Sequence, residues 1–378
     1  MKLFDVYSLL DMEPVKAQGA YLWDKAGQEY LDFYGGHAVI SIGHTHPHYV
    51  EKISEQLSKI GFYSNAVINS LQVELAEKLG ALSGYDDYSL FLCNSGAEAN
   101  ENALKLASFT TGRERVLAMR SAFHGRTSLA VTVTDNPNIQ APVNKTDKVS
   151  FIPFNDADAL RKELSSGEYA AVIVEPIQGV GGIQVATDEF MLAAREACDA
   201  SGTMLIADEI QAGYGRSGKF FSHQWSGVKA DIITLAKGIG NGFPIGAVMI
   251  SPSIPAKKGM LGTTFGGSHL ACAAAIAVAD VVKDENLVEN ARVMGEKIMQ
   301  GIAGVSGVKD IRGRGLIIGI DLSVPQADFR KVLREKYHIM TGLTGQYTLR
   351  LLPPLMIGQT EVDRFVEAFR ATAQEMEM

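Results

Sequence analysis

Short apolar runs alternate with helical segments through the middle of this chain. The runs are SLFLCN, VLAM, AAVIVEP, MLIADE, DIITLAKG and AVMI, and two of the helical segments are SGAEANENALKLASF and EFMLAAREACDASG. The runs are apolar throughout and β-branched, which is typical of strands that helices cover on both faces. The pattern therefore predicts an α/β fold with a mostly parallel central sheet. Ligands of such sheets gather at the C-terminal ends of the strands.

The pattern is different on either side of this region. Before it, residues 21–33 predict a hairpin that turns at Gly27, and helices are predicted over 48–61 and 70–80. After it, an Ala-rich stretch over 270–302 predicts one long helix. The remaining predicted elements are strands near 308, over 315–321 and over 348–352, and a terminal helix from about 360. The C-terminal elements indicate a smaller α+β domain.

These shifts of pattern divide the chain into three parts. Residues 46–265 form the predicted large domain, and residues 266–378 form the predicted small domain. Residues 1–45 are expected to pack with the small domain as an N-terminal segment. The sequence contains no internal repeat, low-complexity tract or linker-like stretch that would suggest further parts.

Composition and charge narrow the class of protein. The 378 residues carry a net charge of −8, which disfavours a nucleic-acid partner because phosphate binding needs a basic face. The most apolar helical stretch, 270–282, is too short to span a membrane and contains Asp280. The N-terminus has acidic residues where a signal peptide has an apolar run. The three cysteines, Cys93, Cys198 and Cys272, form no CxxC pair, so we expect a reducing, cytoplasmic location and no membrane partner.

A candidate anion site opens the first helical segment. Ser95 and Glu98 have the spacing of a capping box after a strand that ends at Asn94. Gly96 allows close approach to the backbone, and the free N–H groups at a helix N-terminus bind phosphate. Taken alone, the same residues also fit a well-capped helix without a ligand.

Two ionisable residues directly follow apolar strands. Asp208 ends MLIAD, where a half-buried carboxylate needs a partner, and a protonated pyridine nitrogen would be one. The alternative role for Asp208 is a cap on the next loop. Lys237 ends DIITLAK, where desolvation lowers the pKa of the amine and makes it nucleophilic. The alternative for Lys237 is a side chain that snorkels at the rim of the sheet.

Two further motifs carry weaker signals. Gly213, Gly215 and Gly218 match GxGxxG, which binds a nicotinamide dinucleotide when it opens a helix, but KFFSHQW follows here. An NAD-dependent oxidoreductase is therefore a disfavoured alternative. The histidines of HTHPH have no cysteine or acid at ligand spacing, so the segment predicts a Pro-containing turn and no metal site.

Taken together, these segments resemble the class III (ornithine-type) aminotransferases, which depend on pyridoxal 5′-phosphate (PLP). The matching segments, in chain order, are LWDKAGQEYLDF, GHTHP, NSGAEANENALKLA, AFHGRT, VIVEPIQG, LIADEIQAGYGRSG, LAKGIGNGFPIGA, GTTFGG, RGRGLIIGIDL and LRLLPPL. The resemblance covers essentially the whole chain. It implies the type I fold of PLP-dependent transferases, in which the large domain binds the cofactor, and a homodimer with shared active sites.

The resemblance also implies roles around the cofactor. Lys237 is similar to the lysine that holds the cofactor as a Schiff base and carries the proton during catalysis. Asp208 matches the residue that pairs with the pyridinium nitrogen. Gln211 would lie near the phenolic oxygen, and Phe123 would stack on the ring. The residues expected to hold the phosphate are Ser95, Gly96, Ala97 and, from the neighbouring subunit, Thr264.

Two arginines are similar to the residues that bind substrate carboxylates in this family. Arg126, in FHGRT, matches a residue that binds a carboxylate of the amino donor. Arg350, in LRLLPPL, matches the one that binds the α-carboxylate of glutamate or 2-oxoglutarate. A guanidinium pairs with a carboxylate in a bidentate manner. Thr263 belongs to the same expected substrate-binding set.

Within the family, DFYGGHAVISIGHTHP is similar to the acetylornithine enzymes. Ornithine-specific members carry a tyrosine where this chain has His37, and its absence beside Gly35 and Gly36 implies room for an N-acyl group. The expected reaction moves the terminal amino group of N2-acetyl-L-ornithine to 2-oxoglutarate. It gives N-acetylglutamate 5-semialdehyde and glutamate, a step of arginine biosynthesis. N-Succinylornithine, ornithine and 4-aminobutyrate are the alternative donors.

The chain departs from the family at Val180. Family members usually have a glutamate there, which forms a removable salt bridge with the residue matching Arg350. Without that glutamate, we expect Arg350 to stay open in both half-reactions. GGSHL also replaces the more common GGNPL after Thr264, a change for which we have no physical account.

Overall fold

The computed structural model describes residues 1–378 and contains two seven-stranded sheets flanked by helices. The strands are β1 (Pro14–Gln18), β2 (Tyr21–Asp24), β3 (Glu29–Phe33), β4 (Ser89–Cys93), β5 (Arg115–Met119), β6 (Val149–Ile152), β7 (Tyr169–Val174), β8 (Ile177–Gln178), β9 (Gln184–Val185), β10 (Met204–Asp208), β11 (Ile232–Leu235), β12 (Gly246–Ile250), β13 (Val308–Arg314), β14 (Ile317–Leu322), β15 (Ile339–Thr344) and β16 (Thr348–Leu351). The helices are α1 (Gly35–Ala38), α2 (Pro47–Lys59), α3 (Ser70–Ser83), α4 (Gly96–Thr111), α5 (Ser128–Thr132), α6 (Ala157–Leu164), α7 (Asp188–Ser201), α8 (His269–Asp284), α9 (Leu287–Ile302), α10 (Gln326–Tyr337) and α11 (Gln359–Glu375). Short 3₁₀ helices lie at Pro137–Ile139, Pro142–Asn144, Ser222–Ser226 and Lys237–Ile239.

The large sheet has the strand order β4-β12-β11-β10-β7-β5-β6. β12 runs antiparallel to both of its neighbours, and all other neighbouring strands are parallel. Every residue of β7 and β11 is buried, as expected for strands that helices cover. α4 packs on five of these strands, and α7 packs on β10. The predicted α/β fold with a mostly parallel sheet is confirmed.

The second sheet joins the two ends of the chain, in the order β1-β2-β3-β15-β16-β14-β13. β3 and β15 are parallel, with Leu31 opposite Ile339, so the N-terminal strands extend a sheet built from the C-terminal region. The hairpin of β2 and β3 turns at Gly27, where φ is +84°. The boundaries of the three parts of the chain, at residues 45 and 265, stay a prediction.

The C-terminal region differs from the predicted elements in two places. The single helix predicted over 270–302 is two helices, α8 and α9, which are separated at Asn286 with φ of 52°. Asparagine tolerates this left-handed conformation, which ends the helix although the apolar pattern continues. Strand β15 is absent from the prediction because Gly342 interrupts its apolar run. An added Cβ at Gly342 would lie 3.2 Å from the ring of Tyr34, so the glycine permits a close approach.

One apolar core spans the contact between the two sheets. It includes Leu205 and Leu235 of the large sheet and Ile320 and Leu349 of the small sheet, all of them buried. This shared core fixes the small sheet relative to the strand ends of the large one. No helix combines the length and the apolar character needed to cross a membrane.

Candidate active site

A cavity of about 400 Å³ lies at the C-terminal edge of the large sheet, within the usual size of a small-molecule site. Its walls come from the segments that follow five parallel strands. These segments contribute Ser95 after β4, Phe123 after β5, Glu175 after β7, Asp208 at the end of β10 and Lys237 after β11. The cavity therefore lies where the topology of the sheet predicts a ligand site.

Lys237 supplies an amino group to this cavity. Its side chain lines the wall, and no hydrogen bond or ion pair engages the ammonium group. Burial lowers the pKa of Lys237, and the carboxylates of Asp208 and Glu175 oppose that shift only in part. Its φ of 50° is strained for a residue with a Cβ and costs about 1–2 kcal/mol. A strained, unpaired and desolvated lysine is the state in which an amine acts as a nucleophile or a base.

Asp208 is the centre of a buried polar network. Its Oδ2 accepts hydrogen bonds from Asn100 Nδ2 at 2.8 Å and from His124 Nδ1 at 2.7 Å. Its Oδ1 accepts the backbone N–H of Ile210 at 3.1 Å. Thr234 Oγ1 donates to Asn100 Oδ1 at 2.8 Å, which fixes the orientation of the amide. These contacts hold the carboxylate at one edge of the cavity, one strand away from Lys237.

The N-terminus of α4 forms a second wall. Ser95 caps the helix by accepting the backbone N–H of Glu98 at 3.2 Å, and Gly96 and Ala97 line the cavity beside it. Gly96 is packed closely, since an added Cβ would lie 2.9 Å from two carbon atoms of Ile210. The first backbone N–H groups of this 16-residue helix have no intrahelical partner, and their place at the cavity lining favours an anion there.

Gln211, Phe123 and Glu175 complete the interior. Gln211 Nε2 donates to the carbonyl of His37 at 3.2 Å, and its Oε1 is buried without a partner. Glu175 accepts the backbone N–H of Phe123 at 2.9 Å and that of Gly179 at 3.0 Å. Burial raises the pKa of Glu175. Glu175 thus shapes the two loops that carry Phe123 and Gly179.

The two arginines differ in their surroundings. Arg126 is exposed at the rim of the cavity. Arg350 is only 4% exposed, and it donates through Nη1 to the carbonyl of Gly179 at 2.9 Å. Its Nε has no partner and no carboxylate lies within ion-pair distance, so burial lowers the pKa of its guanidinium. Val180, next to that carbonyl, is half-exposed and lines the cavity.

The remaining predicted site residues lie outside the cavity wall. Thr263 Oγ1 accepts Asn94 Nδ2 at 3.3 Å and the backbone N–H of Gly266 at 3.1 Å, which shapes the loop before α8. Thr264 is exposed on the same loop. Its expected role concerns a neighbouring subunit and stays a prediction.

Three functional candidates escaped the sequence reasoning. Asn100 and His124 bind Asp208, and Glu175 lies at the end of β7 as Asp208 does at the end of β10. A signal was present for Glu175, because it directly follows an apolar strand. Asn100 lies four residues after Gly96 and therefore on the same face of α4. Nothing in the sequence linked His124 to Asp208.

The histidines of HTHPH do not converge. Each contacts a different carboxylate: His44 contacts Asp32 at 2.9 Å, His46 contacts Glu285 at 2.9 Å and His48 contacts Asp280 at 3.3 Å. These contacts connect the start of α2 and the segment before it to β3, through Asp32, and to the C-terminal end of α8, through Asp280 and Glu285.

Known proteins are similar to this chain in both sequence and fold. The family model described as aminotransferase class-III matches residues 6–372 of this chain. The acetylornithine aminotransferase of Methanosarcina mazei is 40% identical over 356 residues, covering 93% of this chain and 89% of the relative. The crystal structure of acetylornithine aminotransferase from Elizabethkingia anophelis superposes with a TM-score of 0.87 and 33% identity, covering 98% of this chain and 96% of the other.

A second structure resembles the chain at least as closely in shape. It is the ornithine aminotransferase of Toxoplasma gondii with PLP at partial occupancy in its active site, which has a TM-score of 0.91 and 30% identity over 99% of this chain and 94% of the other. The family match spans nearly the whole chain, and the relatives are aligned over most of their own length. The protein is therefore a transaminase that belongs to the class-III aminotransferases.

Proposed function

We propose that this enzyme transfers the terminal amino group of N2-acetyl-L-ornithine to 2-oxoglutarate with the help of PLP. The observation that carries the proposal is the placement of Lys237 and Asp208. They follow neighbouring parallel strands and face one cavity, whose second wall is the N-terminus of α4. The acetylornithine aminotransferases among the relatives support this choice of donor.

The residues of the cavity fit the cofactor. Asp208 offers a buried carboxylate for a protonated ring nitrogen, and the N–H groups beside Ser95 suit the phosphate. Gln211 Oε1 and His124 Nε2 are buried polar atoms without a protein partner, as expected next to a polar ligand. When bound, PLP supplies an electron sink that stabilises negative charge on the carbon that loses a proton.

The residues of the cavity have separate roles in proton transfer and in substrate binding. Burial lowers the pKa of the Lys237 amine, which favours a role for its Nζ as the base that accepts the proton from the donor's amine-bearing carbon and returns it later. Asn100 and His124 hold Asp208 in place. Arg126 at the rim binds the carboxylate of the amino donor, and Arg350 binds the α-carboxylate of 2-oxoglutarate.

Arg350 is well suited to an incoming carboxylate. A buried guanidinium that is bonded only to a backbone carbonyl lacks the compensation that a charge needs in a protein interior. A substrate carboxylate would supply it. Val180 lies beside Gly179, whose carbonyl accepts the Arg350 hydrogen bond, and a valine side chain cannot compete with 2-oxoglutarate for the guanidinium.

The test combines spectroscopy with a donor series. The purified protein is loaded with PLP and mixed with N-acetylornithine, N-succinylornithine, ornithine or 4-aminobutyrate, and the absorbance of the bound cofactor is followed. We expect the fastest change with N-acetylornithine, and no change in Lys237→Ala. A clear preference for free ornithine or 4-aminobutyrate would reject the proposed donor, and a preference for the succinyl compound would reassign the acyl group.

We further propose that the enzyme is a homodimer with shared active sites. An apolar surface patch supports this proposal: Phe62, Tyr63, Ile68 and Phe265 are 42%, 61%, 94% and 60% exposed. The rings of Phe62 and Phe265 are 5.2 Å apart, and the patch adjoins Thr264. Exposed apolar patches of this kind mark protein interfaces. Sedimentation of the wild type and of Ile68→Asp tests it, since the aspartate should yield monomers.

We also propose that the enzyme works in the cytoplasm. The three cysteines are all buried and free, which suits a reducing compartment. Cell fractionation with detection of the untagged protein checks this location, and recovery outside the cytoplasmic fraction would contradict it.

A further inference from the structure

The GYGRSG segment, residues 213–218, joins the loop after β10 to the small sheet. The backbone N–H of Leu316 donates to the carbonyl of Arg216 at 2.9 Å. In return, Arg216 Nη1 donates to the carbonyl of Leu316 at 3.0 Å and to that of Pro353. Both the main chain and the side chain of Arg216 therefore hold the edge of the small sheet.

The glycines allow a very close contact at this joint. An added Cβ at Gly315 would lie 2.5 Å from the carbonyl oxygen of Arg216 and 2.6 Å from the carbonyl carbon of Ser217. An added Cβ at Gly218 would lie 2.9 Å from Cβ of Arg292 on α9. Gly315 therefore lets two backbones meet at this joint, and Gly218, one of the glycines of the dinucleotide-like motif, permits close packing against α9.

Arg216 is an unusual residue for such a contact. It is 2% exposed and its Nη2 has no partner. No carboxylate lies within ion-pair distance of its guanidinium, and burial lowers its pKa to about 9 against the opposing influence of Asp32. A buried and unpaired charge costs stability, so packing alone does not account for an arginine here.

The two carbonyls that Arg216 binds flank the strands next to Arg350. Leu316 precedes β14, and Pro353 lies three residues after Arg350 of β16. β14 and β16 are paired, with Gly319 opposite Arg350. We propose that Arg216 is a positioning residue that sets the place of Arg350 relative to the cavity, and thereby the affinity for the dicarboxylate substrate. This inference rests on the proposed role of Arg350 in binding 2-oxoglutarate.

The proposal predicts weaker binding of 2-oxoglutarate in the second half-reaction and an unchanged first half-reaction with the amino donor. The amino donor is bound through Arg126, which the joint does not touch, whereas 2-oxoglutarate needs Arg350. In PLP-loaded Arg216→Lys, we expect KM for 2-oxoglutarate to rise about tenfold, the size typical of a coupling through a residue that contacts neither ligand. The single-turnover rate with N-acetylornithine should stay at the wild-type value.

Binding of an unreactive substrate analogue, measured in three variants, keeps the test independent of turnover. Calorimetry with glutarate, a dicarboxylate that cannot react, should show the same weakening in Arg216→Lys. Arg195→Lys is the matched control, because Arg195 is a half-buried arginine that pairs with Asp199 and Asp231 away from the cavity, and it should bind glutarate like the wild type. Gly315→Ala disturbs the joint from the other side and should weaken glutarate binding in the same direction.

The outcomes separate this inference from the proposed function. Wild-type affinity for glutarate in both joint variants overturns the positioning role, and so does an equal loss in both half-reactions. Failure of both variants to fold overturns it as well, since the joint would then serve folding instead. Absence of turnover with any N-acylornithine in the wild type rejects the proposed function, whereas the glutarate comparison still decides the role of Arg216.

Discussion

Restoring a carboxylate beside Arg350 should shift the balance between the two half-reactions. Val180→Glu places an acid on the loop whose Gly179 carbonyl already contacts Arg350 Nη1 at 2.9 Å. The guanidinium is buried, has no carboxylate partner and has a free Nε. We therefore expect the new side chain to turn from the cavity wall towards Arg350 and pair with it. 2-Oxoglutarate must then displace this internal carboxylate before it can bind.

The expected loss of affinity for 2-oxoglutarate follows from the surroundings of the two groups, the buried guanidinium of Arg350 and the half-exposed carboxylate at position 180. A hydrogen bond to a charged group contributes about 1.5–3 kcal/mol in a protein. Because Val180 is 45% exposed, solvent screens the new carboxylate, and about 1 kcal/mol is a suitable value for a pair that is half in water. That energy corresponds to a fall in affinity for 2-oxoglutarate of about fivefold. The amino donor, which should bind through Arg126, loses nothing.

Single-turnover kinetics measure the two halves separately. The enzyme is mixed first with N-acetylornithine and then, in a second experiment, the aminated form is mixed with 2-oxoglutarate, and the ratio of the two rates at low substrate is compared with that of the wild type. Val180→Gln is the control, because it has the same shape without the charge. Equal ratios in Val180→Glu and Val180→Gln, whether changed or unchanged from the wild type, would refute the reasoning.

Three further predictions concern single residues of the site. Asp208→Asn should lower turnover about 100-fold or more, the size seen when a preorganised electrostatic contact is removed, while circular dichroism stays unchanged. An unaltered rate would exclude a role for its charge. Gly96→Ala places a Cβ 2.9 Å from Ile210 and should cost about 1–3 kcal/mol of stability by overpacking. Thermal melting checks this cost, and adding Ile210→Val should recover part of it. Burial lowers the pKa of His37 from 6.5 to about 4, so between these values the unfolded chain binds a proton that the folded protein does not, and stability should fall as the pH drops through this window. Denaturant unfolding at several pH values should show a smaller acid loss in His37→Gln, and an equal loss would contradict the assignment.

Much of the cofactor site was predictable because its chemistry lies at the ends of strands. Asp208 and Lys237 each follow an apolar run directly, and in a parallel sheet such ends meet at one edge. Ser95 predicts the start of α4 because a capping motif depends only on residues a few positions apart. The α/β class follows from the same local pattern, since strands and helices of this type have distinct periods.

Tertiary contacts decided the rest. The carboxylate of Asp208 is held by Asn100 and His124, which come from two other segments of the chain, and no local spacing relates them. The burial of Arg350 and its bond to Gly179 depend on how the two sheets meet. The sequence alone determined which residues could do chemistry at the ends of strands, because that information is local. Only the folded chain decided which partners those residues have, because hydrogen bonds and burial between distant parts of the chain arise when separate elements pack together.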